Sequence, residues 1–402
     1  MRSLKKICFV TDEYDHPSFH ATGGIGTFIK NLAYELKDQG IEVHVFSYMY
    51  ITNRPNMIND NGVIIHSVKR ANKIINLFFK ILGKIKIKAQ NRIRIEAIVY
   101  KFYFSFQLYR FSWKNKFDLF EFNDFSGDSC FFLKKNVIIR CHGNAKTLHE
   151  HMAYPKYDIP IFFERLAFNR HSHIVCVSEY CKNVTMKSFN LKKHPRVVYN
   201  GVKVKTLLND EKKYEIVDKS IYYFGSLRER KGLIVACNVI NKAILKYPDI
   251  TFHLIGKNEN KNWENICLAM LSPSAIQRTF YHGSLEQSKA FEFLKNAHIV
   301  LFPSFGENFS IALLEVMALG KIVITSTIPS FKEVIIDGEN GFLANDESEY
   351  IDRIDFIFKM TSIVSIATNA YETVEKKFDN RNIVMDNINY YQDVLKSNKI
   401  WR

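Results

Sequence analysis

The sequence predicts an α/β protein built from two doubly wound domains in tandem. Three observations carry that expectation. At 402 residues the chain exceeds one ordinary core. Short apolar runs alternate with segments of helical period, as in βαβ units around a parallel sheet. Two such series are separated by a polar, charged stretch at 207–220, which holds Asn209, Asp210, Glu211, Lys212 and Lys213.

The first series opens with a strand at 7–10. Phe28, Ile29, Leu32, Ala33 and Leu36 then share one helical face, and 41–47 forms the next strand. Strands follow at 119–122, 137–141, 174–178 and 197–199. The second series places strands at 221–224, 252–255, 298–302 and 322–325, before a helix-rich end at 370–395. The expected domains are 1–205 and 206–375, with 376–402 as terminal helices.

Composition narrows the class. A 47% hydrophobic and 24% charged chain suits a folded globular protein. No uncharged apolar run reaches the length of a bilayer span, and the apolar stretch ending at Val10 is too short for a signal-peptide core. Seven scattered cysteines without a C-x-x-C pair suit buried thiols in a cytoplasm and argue against zinc. The formal charge of +15 favours anionic partners. Much of it is concentrated between Lys69 and Lys116, where thirteen Lys or Arg accompany a single acid, Glu96.

Two motifs in the second series carry chemistry. Gly225-Ser226-Leu227-Arg228-Glu229-Arg230-Lys231-Gly232 leaves a strand end, where open α/β sheets bind ligands. Lys231 offers a point charge and Arg228 or Arg230 a fork for phosphate oxygens; a solvated basic turn would read the same way. Pro303-Ser304-Phe305-Gly306-Glu307-Asn308-Phe309-Ser310-Ile311 joins the next strand to an apolar helix capped at Ser310. Free amides there can hold phosphate or hydroxyls. Glu307 precedes the helix, and Glu315 lies inside it among Leu313, Leu314, Val316 and Met317, which argues against a solvated carboxylate.

These elements resemble the retaining glycosyltransferases of family 4, which have the GT-B fold of two facing Rossmann-like domains. The resemblance rests on G-x-x-x-x-x-K-G from Gly225 to Gly232, Glu-x7-Glu from Glu307 to Glu315, Met317-Ala318-Leu319-Gly320-Lys321, and the run from Phe331 to Gly341. It implies that Lys231 contacts the donor diphosphate and Glu315 its ribose. Glu307 and the backbone of Asn308, Phe309, Ser310 and Ile311 would hold the donor sugar and diphosphate. The family commonly has Arg after the first glycine, where this chain has Ser226, so Arg228 or Arg230 would substitute. The resemblance also implies an interdomain cleft and a C-terminal helix crossing back to the first domain.

In the first half, Thr22-Gly23-Gly24-Ile25-Gly26-Thr27 precedes a helix. It fails as a dinucleotide fingerprint, because Ile29 stands at the third glycine position and strand 41–47 does not end in an acid. In the resembled family Gly24 and Gly26 approach the donor phosphates. His142, at a strand end before Gly143, resembles the histidine that binds donor-sugar hydroxyls. Glu121 and Asp124 resemble acceptor-side residues of the subgroup building bacterial surface polysaccharides; polar capping of their loop explains them equally. Segment 73–110 interleaves cations with Ile, Leu, Phe and Tyr, the pattern of helices on anionic membranes or of a face packed on the sheet.

The reading that results is a retaining transfer, from a nucleotide diphosphate sugar to a glycan or lipid-linked acceptor of bacterial surface polysaccharide, lipopolysaccharide or capsule. No metal or other cofactor is expected, since no Asp-x-Asp occurs. Nucleic acid is not an expected partner. The expected place is the cytoplasm, with segment 69–116 touching the inner face of the plasma membrane. A nucleotide-sugar epimerase of the same shape and a non-catalytic sugar-nucleotide-binding protein are the competing readings.

Overall fold

A computed structural model of the chain describes residues 4–19, 23–49, 56–69, 71–204, 216–258 and 262–400. Thr22, Arg70 and positions 207–215 of the expected junction lie outside them. The chain forms two compact units, residues 1–199 with 383–402, and residues 200–382.

The first unit is built on a sheet of β1 (Lys6–Val10), β2 (Glu42–Met49), β3 (Met57–Asp60), β4 (Val63–Lys69), β5 (Leu119–Asn123), β6 (Val137–Cys141), β7 (His173–Cys176) and β8 (Arg196–Val197). Their spatial order is β3-β4-β2-β1-β5-β6-β7-β8, parallel throughout except β3 against β4. Strands buried on both faces need continuous apolar runs, and β1, β5 and β6 are almost wholly buried. The order reverses between β1 and β5, which pair in register from Ile7 with Leu119 to Val10 with Phe122.

Helices α1 (Gly24–Asp38), α2 (Lys73–Lys84), α3 (Ala89–Lys114), α4 (Ala145–His151), α5 (Asp158–Arg170) and α6 (Glu179–Phe189) belong to this unit. α1 turns Phe28, Ile29, Leu32, Ala33 and Leu36 inward, the face its spacing dictates. The hairpin of β3 and β4 is absent from the strands expected at sequence level. It turns on Asn61 and Gly62, both at positive φ, the pair that favours a two-residue hairpin.

The C-terminal helix (Asn380–Ile400) returns to the first unit, where Tyr391 and Asn387 are fully buried. Arg140, wholly buried on β6, makes a two-pronged contact with Glu121 of β5, with Nε to Oε1 at 2.6 Å and Nη2 to Oε2 at 3.2 Å. Nη2 also donates to Asn387 Oδ1 at 2.5 Å, and Tyr391 Oη donates to Glu121 Oε2 at 2.8 Å. A buried ion pair thus fastens the last helix to the middle of the sheet.

The second unit is a six-stranded parallel sheet of β9 (Ser220–Phe224), β10 (Thr251–Ile255), β11 (Thr279–Tyr281), β12 (Ile299–Phe302), β13 (Ile322–Ser326) and β14 (Phe342–Ala344), ordered β11-β10-β9-β12-β13-β14. That is the doubly wound order, with its reversal between β9 and β12. Val202 N donates to Phe378 O, and Asn380 N donates to Val202 O.

Candidate active site

Ligands bind beyond the carboxyl ends of parallel strands, where strand order reverses. In the second unit that point lies between the loops leaving β9 and β12. After β9 the chain passes Gly225, extends at Arg228, makes a single 3-10 turn at Glu229–Lys231, and enters the helix Leu233–Lys246 through Gly232 at φ +73°. A Cβ on Gly232 would lie 1.9 Å from the carbonyl oxygen of Pro303. The glycine therefore lets the cationic turn press against the β12 loop.

That approach brings the charges together. Phe305 N donates to Arg230 O at 2.9 Å, and Arg230 Nη1 donates to Gly306 O at 2.5 Å. Lys231 Nζ forms an ion pair with Glu307 Oε1, and Arg230 Nη1 lies 3.7 Å from Oε2 of the same carboxylate. Ser304 Oγ completes the set, 3.5 Å from Glu307 Oε1. Burial raises the Glu307 carboxyl, but the Lys231 and Arg230 charges outweigh it and hold it below the ordinary carboxylate range. Glu307 therefore stays ionised at neutral pH and fixes Lys231 in place. Of the two arginines expected to substitute at Ser226, Arg230 makes the contact with Glu307.

Ser310 caps the helix Ile311–Ala318, its Oγ accepting from Leu313 N. Asn308, Phe309 and Ser310 are buried in the approach to this helix, and Ile311 is its first residue. Glu315 is buried within it and accepts from Gln287 Nε2 at 2.5 Å. With that one neutral donor and little water, its pKa rises to about 7 through burial. A carboxylate so placed gains from further hydroxyl donors.

In the first unit the structure shows where four of the expected residues lie. Gly24 and Gly26 do not form a loop before the helix but lie in the first turn of α1. The Gly23 amide donates to the Glu13 carboxylate, whose pKa burial nevertheless raises. Glu121 does not face an acceptor, because both of its oxygens are bound by Arg140 and Tyr391 inside the core. Asp124 is likewise internal. It accepts from the amides of His142 at 3.0 Å and Gly143 at 3.3 Å and from Asn144 Nδ2 at 3.2 Å, with burial raising its pKa to about 6.

Asp124 therefore shapes the loop that carries His142. The imidazole packs edge-on against Phe28, with ring centroids 5.1 Å apart. Burial first, then the Arg140 charge, lowers its pKa well below the usual range. His142 is neutral at physiological pH, suited to hydrogen bonding rather than to carrying charge.

The reversal point of the first sheet holds a hollow of about 300 Å³ that the sequence did not disclose. Asp12 and Glu13 border it after β1, Asn123 at the end of β5, and Tyr100 and Lys101 from α3. Lys101 is buried, ion-paired to Asp128 and 3.0 Å from Ser126 Oγ. Polar residues after two strand ends were the available signal, but Lys101 reaches them from a distant helix. Among the described residues no group of three or more His, Cys, Asp or Glu could hold a metal ion.

The chain matches known proteins over both units. Residues 22–206 match the family described as Glycosyltransferase Family 4, and residues 218–359 match Glycosyl transferases group 1. An uncharacterized glycosyltransferase of Methanocaldococcus jannaschii is 26% identical over 384 residues, covering 92% of this chain and 95% of that protein. A 41.2 kDa protein in the cps region of Klebsiella pneumoniae is 24% identical, covering 60% of this chain and 66% of its own length. Among solved structures, sucrose-phosphate synthase from Thermosynechococcus elongatus superposes with a TM-score of 0.77 at 15% identity, over 98% of this chain and all of that one. HepE from Anabaena, solved with UDP and glucose, gives 0.69 at 14% identity over 97% of this chain and all of that one.

Proposed function

Because this chain belongs to the family 4 glycosyltransferases and has the GT-B fold, we propose that it takes its sugar from a nucleotide diphosphate donor without a metal ion. The transfer retains anomeric configuration and glycosylates a hydroxyl of a glycan or lipid-linked acceptor in bacterial cell-surface polysaccharide synthesis. The observation that carries the proposal is the Arg230–Lys231–Glu307 cluster at the reversal point of the second sheet. The solved neighbour holding UDP and glucose supports the donor class, and the cps-region relative supports the polysaccharide setting.

In this mechanism residues 206–375 bind the donor and residues 1–205 the acceptor, with the helices of 376–402 completing the first domain. The bond from the anomeric carbon to the diphosphate breaks as the acceptor hydroxyl attacks from the same face, and a donor phosphate oxygen takes the hydroxyl proton. Charge develops on the departing diphosphate, where Lys231 and Arg230 stabilise it. Glu307, held ionised, orients Lys231 and accepts from a sugar hydroxyl. Glu315 accepts from the ribose diol, and neutral His142 hydrogen-bonds a donor-sugar hydroxyl. The acceptor enters the hollow bordered by Glu13, Asn123 and Tyr100.

The test is a thermal-shift screen against nucleotide diphosphate sugars, followed by a transfer assay and NMR assignment of the product anomer. Stabilisation by a diphosphate sugar in the wild type and its loss in Lys231→Ala are expected. Full turnover of Lys231→Ala at subsaturating donor would remove the assignment.

A further inference from the structure

The basic segment folds into two helices that use their apolar residues differently. α3 sends Phe104 and Leu108 into the core and pairs Lys101 with Asp128, so its middle is part of the domain. α2 seats only one narrow stripe: Ile75 and Leu82 are buried, and the Phe79 ring lies 4.7 Å from Tyr100 of α3. Its N-terminus is fixed by Asn72, whose side chain accepts from Ile75 N at 2.9 Å.

A second stripe remains in water. Ile74, Leu77, Phe78 and Ile81 recur at i, i+3, i+4 and i+7 and are 75, 57, 42 and 52% exposed. At about 100° per residue they run beside the seated stripe, and Lys73, Lys80 and Lys84 line their opposite border. No Asp or Glu occurs between Asp60 and Glu96. Isolated exposed apolar side chains are ordinary, whereas a continuous stripe edged by like charges marks a contact surface.

We propose that α2 is a membrane-docking helix that lies in the headgroup layer of an anionic bilayer. Ile74, Leu77, Phe78 and Ile81 enter the acyl boundary while Lys73, Lys80 and Lys84 meet lipid phosphates. Charge selects this occupant. A second copy of the helix would set lysines against lysines. A nucleic acid would need stacking rings, and the stripe offers one phenylalanine among aliphatic residues. The contact also bears on the acceptor, and here it rests on the transferase reading. Tyr100, against which Phe79 packs, lines the hollow of the first unit. Docking α2 brings that hollow to the interface, so the acceptor is a saccharide carried on a lipid.

The test sediments the purified full chain with phosphatidylcholine vesicles and with vesicles containing one-third phosphatidylglycerol, while following donor hydrolysis in solution. Wild type is expected to bind the anionic vesicles, not the neutral ones, and to be released by salt. Lys73→Gln/Lys80→Gln/Lys84→Gln should weaken binding by about fivefold per lysine, roughly a hundredfold in all. Leu77→Asp/Phe78→Asp should abolish it, with circular dichroism and donor hydrolysis unchanged. Equal binding to neutral vesicles, undiminished binding by the Asp pair, or a wild-type dimer that the Asp pair dissolves would overturn the proposal. Vesicle binding by a chain that no nucleotide diphosphate sugar stabilises would instead sink the transferase reading and leave the docking intact.

Discussion

Removing the Glu121 carboxylate should damage the fold rather than acceptor binding, and the structure sets the size of the effect. Arg140 is fully buried, and its two contacts with Glu121, at 2.6 and 3.2 Å, are its charge-compensating ones. Glu121→Ala leaves that guanidinium with Asn387 and, at 3.4 Å, Tyr391 as neutral partners. It also takes the acceptor from Tyr391 Oη. Leaving one member of a buried pair unpaired costs about 3–5 kcal/mol, a large share of the ~5–15 kcal/mol that holds a domain. For a unit of this length each kcal/mol moves the midpoint by about 2–4 °C, so calorimetry should show a fall of roughly 6–20 °C. Tyr391→Phe, which removes one donor to a carboxylate, should cost about 1.5–3 kcal/mol. Glu121→Leu/Arg140→Met, which removes both charges, should recover much of the loss. A Glu121→Ala midpoint within about 1 °C of wild type, with a raised acceptor KM, would refute the reasoning and return Glu121 to the acceptor.

The proposed donor site gives further expectations. Glu315 titrates near pH 7 when folded and near ~4.3 when unfolded, so the folded chain holds the extra proton between those values. Its contribution to stability should therefore fall as pH rises from about 4 through 7, by on the order of 3 kcal/mol, and Glu315→Gln should flatten that slope in pH-dependent melts. If Glu315 accepts from the ribose diol as proposed, nucleotide affinity should rise between about pH 6 and 8 in calorimetric titrations, and that rise should vanish in Glu315→Gln. Gly232→Ala forces a side chain into a left-handed backbone and onto Pro303 O. It should cost about 3 kcal/mol or more by denaturant melting and abolish donor binding. Lys231→Ala should lower kcat/KM about a hundredfold or more, with Glu307→Gln showing a comparable loss.

The elements legible in the amino-acid order were those whose cause is local. β1, β9 and β12 announce themselves because strands buried on both faces must be apolar throughout. The inward face of α1 follows from its spacing, and the two motifs of the second series follow from residues within a few positions of one another. Short edges gave no such signal: β11 and β14 have three residues each, too few for a period. The β3–β4 hairpin was missed, although its Asn61-Gly62 pair is a turn signal present in the sequence.

What tertiary structure decided depends on partners far apart in the chain. Glu121 carries the same carboxylate whether it faces an acceptor or the core; Tyr391, 270 positions away, makes it a fastening. Lys231 and Glu307 become one cluster because Gly232 admits Pro303 to within reach. Burial sets the Glu315 pKa, and seating against α3 decides which stripe of α2 meets water. Composition and spacing specify which chemistry a segment can offer. Desolvation and the identity of the facing group, fixed only when remote segments pack, specify which chemistry it performs.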